Sequence, residues 1–191
     1  MGRLVVSEFV TVDGVAEDPG GAEGFDRGGW AFKFERGEDG DRLKLDEVME
    51  AESLLLGRVT YEGFAAAWPG REDEVGFAEK MNRMPKLVAS STLKELTWEN
   101  STLLEGDVAD AVARLKDETA GDILVAGSLT LVGTLTEHDL VDEYRLMVFP
   151  IVLGAGKRLF ATGREPKSLQ LAGTQPVGPD GVVVLTYRPP R

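Results

Sequence analysis

A continuous apolar run that ends in a glycine-arginine pair lies within AESLLLGRVTYEGF, residues 51–64. The run SLLLG is short and unbroken, which is typical of a strand buried on both faces at the centre of an α/β sheet. The residues from Arg58 to Ala67 then have the pattern of a short helix. The turn at Gly57-Arg58 either only ends the strand or places a cation beside a helix N-terminus, where phosphate binds readily.

Strand-like and helix-like patterns alternate on both sides of this segment, which predicts a single α/β domain over residues 1–191. The further strands expected are RLVVSEFV (3–10), KLVAS (86–90), STLLE (101–105), DILVAGS (122–128) and VDEYRLMVFPIVLG (141–154). The further helices expected are 41–51, 73–82, 108–119 with Asp107 as its N-cap, and 128–138 with Ser128 as its cap.

Two segments depart from this alternation. The polar, glycine-rich stretch AEDPGGAEGFDRGGW (16–30) predicts a functional loop or lid, because it cannot bury enough apolar area to form a regular element. At the C-terminal end, SLQLAGTQ and VVVLTYR flank the turn-rich PVGPDG, which predicts an antiparallel hairpin at one side of the sheet.

Composition excludes several classes of function. The net charge of −12, from 33 acidic and 21 basic residues, disfavours nucleic acid or an anionic membrane as a partner. The chain has no cysteine, so disulfides, a thiolate nucleophile and cysteine zinc sites are excluded, and a cytoplasmic protein is expected. No apolar stretch approaches the roughly 20 residues of a membrane helix. We also expect no metal site.

Several familiar catalytic and nucleotide-binding motifs fail on inspection. The nearest match to a G-x-G-x-x-G fingerprint, at residues 154–156, has Leu159 in place of the third glycine. Gly156-Lys157 continues with Arg158, whereas a P-loop requires Ser or Thr. The single histidine, His138, is expected at a helix C-terminus, where interaction with the helix dipole is the favoured interpretation over catalysis.

Three turns remain that can contact phosphate, and each follows an expected central strand. They are Gly57-Arg58-Val59-Thr60, Ser90-Ser91 and Ala126-Gly127-Ser128-Leu129-Thr130. In open α/β sheets, ligands bind beyond the carboxyl ends of the strands, so the turns are expected to meet at one site. Arg58 would supply a fixed cation, the serines hydroxyls, and Gly127 room for close approach of a pyrophosphate.

The ordered set of Asp13-Gly14 after the first strand, LLLGRVTYEGF, KLVASST, DILVAGS and VFPIVLGAGKRLF resembles the dihydrofolate reductase fold over almost the whole chain. It is more similar to single-domain proteins like the reductase domain of the bifunctional riboflavin-biosynthesis deaminase/reductase. The resemblance implies a three-layer α/β fold with a mixed, mostly parallel central sheet and a C-terminal antiparallel hairpin. It further implies that the protein forms a homodimer.

The resemblance also implies an NADPH site built from the three turns. Gly57, Arg58 and Thr60 would contact the phosphates, with Ser90 and Ser91 beside Arg58 near the adenosine 2′-phosphate. The pyrophosphate would lie on Gly127, Ser128, Leu129 and Thr130. The nicotinamide would lie against the first strand near Phe9 and Val10, with the loop from Asp13 to Trp30 closing over it. A 2′-phosphate calls for an arginine and hydroxyl donors, which agrees with this set.

The substrate side leaves alternatives open. Tyr61 and Phe64 either form an aromatic wall for a flat heterocycle or pack in the core. Trp30 either covers the substrate or pins its loop to the sheet. Asp13 either contacts substrate or belongs to an ordinary turn. The catalytic candidates are therefore Asp13, Trp30 and Asp41.

Two departures from the family limit what it implies. The zinc deaminase signature of the bifunctional enzyme is absent, and Val15 stands where the riboflavin-pathway reductases tend to carry a lysine. Glu35, Asp41 and Asp46 compete, together with water, as the proton donor. The sequence thus predicts an NADPH-dependent reductase of a pterin-, pyrimidine- or flavin-like heterocycle, or else a protein of the same fold that binds the cofactor without catalysis.

Overall fold

The computed structural model describes residues 1–163 and 165–190, which form eight strands and five α-helices around one sheet. The strands are β1 (Arg3–Thr11), β2 (Ala51–Gly57), β3 (Lys86–Ala89), β4 (Ser101–Leu103), β5 (Asp122–Ala126), β6 (Glu143–Phe149), β7 (Gln170–Val177) and β8 (Val182–Arg188). The helices are α1 (Gly37–Glu50), α2 (Arg58–Ala67), α3 (Phe77–Arg83), α4 (Val108–Glu118) and α5 (Leu129–Glu137). A short 3₁₀ turn covers Trp30–Lys33.

The sheet has the order β4-β3-β2-β5-β1-β6-β8-β7. The pairs from β4 to β6 are all parallel, whereas β8 runs antiparallel to both β6 and β7. This confirms the expected mixed sheet, including the C-terminal hairpin. Because the parallel strands share one direction, the turns that leave β3, β2 and β5 lie at the same edge.

The apolar run at residues 53–57 is buried on both faces, as its composition predicts. Leu55 packs in the cluster beneath α4 and α5, which includes Val112 and Leu131. Leu54 and Leu56 project to the opposite face and pack with residues of α1, α2 and α3. All three leucines are at most 1% exposed. The alternation arises because successive side chains of a strand point to opposite faces.

Two helices begin at other residues than the sequence predicts, and a third begins where it is expected. Helix α3 begins at Phe77 rather than near Asp73, because the Asp73 carboxylate accepts the backbone N–H groups of Val75, Phe77 and Ala78. Asp107 caps α4 as expected, accepting from the N–H groups of Ala109 and Asp110. Helix α1 begins at Gly37, four residues before the predicted start.

Strand β6 is shorter than its apolar pattern suggests. It ends at Phe149, and the predicted continuation to Gly154 is irregular. Pro150 follows the last strand residue, and proline has no N–H to donate to a neighbouring strand. No helix of the described residues is both long and apolar enough to cross a membrane.

Candidate functional site

The turns after β3, β2 and β5 lie side by side at the carboxyl edge of the sheet. Gly57, at the end of β2, pairs in register with Ala89, so Arg58 and Ser90 follow neighbouring strand ends. On the other side, Leu55 pairs with Val125. The structure therefore brings together the three turns that the sequence analysis singled out.

The turns after β2 and β5 are in direct contact. The backbone N–H of Gly57 donates to Ser128 Oγ at 2.8 Å. Gly127 has φ +65, and a Cβ there would stand 2.8 Å from Thr60 Oγ1. A side chain at position 127 would thus enter the space of α2, so the close approach requires glycine.

Ser128 is the N-cap residue of α5, as expected, but its side chain does not bond the first turn of the helix. Ser128 has φ 67, in the left-handed region, and its hydroxyl binds Gly57 rather than the first turn of its own helix. In the part of the chain that the structure describes, no side chain caps α5, and Leu129 and Thr130 form its first turn. A helix that begins with uncapped N–H groups suits an anion.

Arg58 is the first residue of α2, and among the described residues its guanidinium has a surface contact alone. Its guanidinium donates to Glu62 at 2.8 Å, and the two side chains are 45% and 48% exposed. Such an exposed pair contributes little, so the guanidinium is available to another anion. Beside it, Ser90 Oγ accepts from the N–H groups of Thr92 and Leu93, and Ser91 is exposed.

The end of β1 borders an aromatic cleft of about 430 Å³. Phe9 packs edge-on against Phe149, with ring centroids 5.2 Å apart, while Val10 on the opposite face is buried. Phe32 is 80% exposed at the cleft. The remaining lining residues are Ala31, Phe34, Glu35, Arg36, Gly37, Glu38 and Asp41.

The three carboxylates proposed as proton donors are not equivalent. Glu35 and Asp41 line the cleft, and Asp41 pairs with Arg36 at 2.6 Å. Asp46 is exposed on α1 and does not line it. Asp41 therefore stays a candidate by position, although its ion pair already engages the carboxylate.

Asp13 joins the end of β1 to the loop that follows β6. Its carboxylate accepts from the Thr11 hydroxyl at 2.6 Å, and from the backbone N–H groups of Gly154 at 2.8 Å and Leu153 at 3.2 Å. The hydrogen bond from Thr11, together with the bonds from the backbone N–H groups of Gly154 and Leu153, lowers the pKa of Asp13 to about 2. A carboxyl so strongly ionised is a poor proton donor, and its contacts favour positioning of the loop.

Trp30 has the environment of an anchor. It is fully buried, its ring meets Phe149 edge-on at 5.4 Å, and its indole N–H donates to the Glu17 carbonyl at 2.9 Å. These contacts favour the alternative in which Trp30 pins its loop to the sheet. Contact with a substrate would require the segment to move.

Tyr61 and Phe64 lie on the inner face of α2. Tyr61 is 2% exposed, and its hydroxyl accepts from the backbone N–H of Trp98 at 3.0 Å. Phe64 is partly buried and packs edge-on against Trp68 and Trp98. Both rings therefore pack in the core, the second alternative that the sequence left open.

Two polar groups near β1 were missed by the sequence analysis. Ser7 Oγ donates to Glu47 at 2.8 Å and accepts from Lys44, and Arg145 lies 3.8 Å from the same carboxylate. On the opposite face of β1, Glu8 is 4% exposed. A glutamate inside the apolar RLVVSEFV was the signal available for it.

His138 is remote from this edge. It is the C-cap residue of α5, whose N-terminus lies at the three turns. Because a nine-residue helix separates the two ends, the structure favours the helix-end role expected for His138.

Comparison with known proteins accounts for this combination of sheet and turns. The family model of the RibD C-terminal domain matches residues 3–183. The chain belongs to this family. Among curated proteins it is similar to the uncharacterized protein YyaP of Bacillus subtilis (strain 168), with 27% identity over 188 residues, which cover 97% of this chain and 94% of YyaP.

Two solved structures share the fold. A putative riboflavin biosynthesis protein from Shewanella sp. PV-4 has a TM-score of 0.77 and 22% identity, with 99% of each chain covered. Dihydrofolate reductase from Enterococcus faecalis, complexed with NADP(H) and RAB-propyl, has a TM-score of 0.63 and 15% identity, covering 99% of this chain and 97% of that one. Membership of the RibD C-terminal family supports an oxidoreductase of the riboflavin-pathway type.

Proposed function

We propose that this RibD C-terminal family protein is an NADPH-dependent reductase that transfers hydride to a small planar heterocycle of pterin, pyrimidine or flavin type. The observation that carries the proposal is the contact between the turns after β2 and β5, with Arg58 on one side and the uncapped N-terminus of α5 on the other. A fixed cation and free backbone N–H groups at adjacent strand ends suit a dinucleotide.

The residues present fit NADPH better than NADH. Arg58 carries forked donors and pairs with the exposed Glu62, and the hydroxyls of Ser90 and Ser91 follow the neighbouring strand. This set suits a 2′-phosphate, whereas NADH sites commonly place an acidic residue on the ribose hydroxyl. The pyrophosphate would be held by Gly127, Ser128, Leu129 and Thr130, because no side chain of the described residues caps the N-terminus of α5.

The aromatic cleft beside Phe9 is the proposed substrate site. NADPH supplies the hydride when bound, and the residues of this chain bind and orient the reactants. Phe9, Phe32 and Phe34 offer flat apolar surface to a heterocycle. Glu35, Asp41 or a water would donate the proton, because both carboxylates line the cleft.

The assembly is proposed to be a cytoplasmic homodimer. Strand β7 lies at one edge of the sheet, and most of its residues are exposed, with Leu171 at 56%. An exposed strand edge with unpaired backbone groups favours pairing with a second copy. Light scattering coupled to gel filtration measures the mass directly, and a monomer at micromolar concentration would reject this part.

Titration with NADPH and NADH tests the cofactor. Trp30, Trp68 and Trp98 report binding by fluorescence quenching, and NADPH is expected to bind more tightly. Binding of neither cofactor would reject the proposal. Oxidation of NADPH is then followed with dihydrofolate, oxidised flavins and aminopyrimidines. Oxidation with one of these identifies an enzyme and its substrate class, whereas binding without oxidation indicates a protein that binds the cofactor without catalysis.

A further inference from the structure

Glu8 is a buried carboxyl at the centre of the sheet with an unused oxygen. It is 4% exposed, and Oε1 has no hydrogen-bond partner among the described residues. Its neighbours Val6 and Val10 on the same face pack in the apolar cluster beneath α4 and α5. A buried carboxyl oxygen without a partner costs free energy, so its presence calls for a ligand or a structural reason.

The position of Glu8 places it beside the proposed dinucleotide site. Ser7 pairs in register with Ala126, so Glu8 lies opposite Gly127, where β1 and β5 separate. The charged groups that act on the carboxyl are Lys44 from α1 and Glu23 from the loop 16–30, and the backbone N–H of Gly127 also acts on it. None of these satisfies Oε1.

The protonation state of Glu8 decides what it can bind. Burial raises the pKa of Glu8 to about 8, although Lys44 and the Gly127 N–H oppose the shift. At neutral pH the carboxyl is therefore mainly uncharged and offers one O–H donor and one acceptor. A primary carboxamide carries both a donor and an acceptor, so it can bond Oε1 whether that oxygen donates or accepts.

We propose that Glu8 is a positioning residue whose carboxyl hydrogen-bonds the carboxamide of the nicotinamide half of the cofactor. The inference rests on the proposed function, because it requires the dinucleotide to bind at the turns after β2 and β5. It adds a residue on the same face of β1 as Val10 that fixes the orientation of the nicotinamide ring. A phosphate is a poorer partner, because it would repel the carboxyl whenever Glu8 ionises.

Comparing the binding of the whole cofactor with that of its phosphate-bearing half separates a contact to the nicotinamide from contacts to the phosphates. Dissociation constants are measured for NADP⁺ and for 2′,5′-ADP, which lacks the nicotinamide half, with wild type, Glu8→Met and Glu8→Gln. Glu8→Met is expected to weaken NADP⁺ about tenfold and leave 2′,5′-ADP unchanged, as for loss of one buried contact. Glu8→Gln keeps a donor and an acceptor, and is expected to retain most of the NADP⁺ affinity.

An analogue tests the carboxamide itself. The 3-acetylpyridine analogue of NADP⁺ keeps the carbonyl acceptor but lacks the amide donor. It is expected to bind wild type more weakly than NADP⁺, and Glu8→Met is expected to bind the two equally. If the loss of affinity caused by Glu8→Met and the loss caused by the analogue simply add, Glu8 does not contact the carboxamide. That result would overturn the proposal.

Thermal unfolding provides the structural control. Glu8→Met is expected to unfold at the same or a higher temperature, because it removes a buried carboxyl that has one oxygen without a partner. Glu143→Met is the matched variant and is expected to unfold earlier, because Glu143 is equally buried but bonded to Arg145 and Arg188. A lower melting temperature for Glu8→Met, with both ligands weakened equally, would assign Glu8 a structural role and overturn the inference.

The remaining outcomes separate the two proposals. If wild type and Glu8→Met bind NADP⁺ equally and both bind 2′,5′-ADP, the inference about Glu8 is wrong and the proposed cofactor stands. If wild type binds neither NADP⁺ nor 2′,5′-ADP, the proposed function fails, and the inference fails with it.

Discussion

The hydroxyl of Ser128 accepts the backbone N–H of Gly57 at 2.8 Å and so joins the turns after β2 and β5. The two residues are 71 positions apart in the chain. Ser128 is the N-cap residue of α5 with a left-handed φ of 67, and its hydroxyl bonds Gly57 rather than the first turn of that helix. The bond fixes the relative position of α2 and α5, whose N-termini flank the proposed phosphate site.

Replacement of Ser128 by alanine is expected to destabilise the protein by about 1–2 kcal/mol, because it leaves the Gly57 N–H without its partner. The change is measured by urea unfolding. Thr134→Ala is the control, since the Thr134 hydroxyl is exposed and makes a long bond, 3.4 Å, to a carbonyl of its own helix. Equal effects of the two substitutions would contradict the role assigned to Ser128. Affinity for NADPH is expected to fall only in Ser128→Ala.

Arg58→Ala is expected to weaken NADPH binding by about 1–3 kcal/mol and to leave NADH nearly unchanged, because only NADPH carries the 2′-phosphate. Fluorescence titration measures both. Arg83→Ala is a matched control, because Arg83 also pairs with a glutamate of its own helix at 2.8 Å but lies on α3. If Arg58→Ala and Arg83→Ala bind NADPH alike, Arg58 does not contact the 2′-phosphate.

Gly127→Ala is expected to destabilise the protein by about 2–4 kcal/mol, through a left-handed alanine and a crowded Cβ. The new Cβ would stand 2.8 Å from Thr60 Oγ1, and Thr60 is itself buried. Gly63→Ala in α2 is the contrasting control, since a Cβ there meets nothing within 4 Å. It is expected to stabilise the protein by about 0.5–1 kcal/mol, by favouring the helix. Thermal unfolding of both variants measures these changes. A melting temperature of Gly127→Ala equal to that of wild type would refute the close contact.

Asp13 is expected to make stability depend on pH in the acid range. Its pKa is lowered from 3.8 to about 2, so the bonds from Thr11 and the loop after β6 stabilise the protein fully above pH 4. This stabilisation is lost as the pH falls toward 2. Asp13→Asn is expected to be less stable than wild type at pH 6, and the difference is expected to shrink between pH 4 and 2. A constant difference across this range would show that the carboxylate charge is not involved.

Local sequence patterns predicted most of the sheet. The apolar run at residues 53–57, the glycine-containing turns and the C-terminal hairpin all appear where expected, because periodicity and turn chemistry are properties of adjacent residues. The same reasoning identified Arg58 and Gly127 at adjacent strand ends. The predicted start of α3 was wrong because the Asp73 carboxylate accepts several backbone N–H groups before the helix.

The environment of each candidate side chain was decided by contacts between distant parts of the chain. Trp30 meets Phe149, Tyr61 bonds Trp98, and Asp13 bonds Gly154, 141 positions away. No local pattern encodes such pairs, because they depend on how the elements pack. The sequence by itself determined the strands, their turns and the residue types at the site. Only the tertiary structure decided that Ser128 bonds Gly57, and that Glu8 is buried opposite Gly127 with an oxygen unpaired.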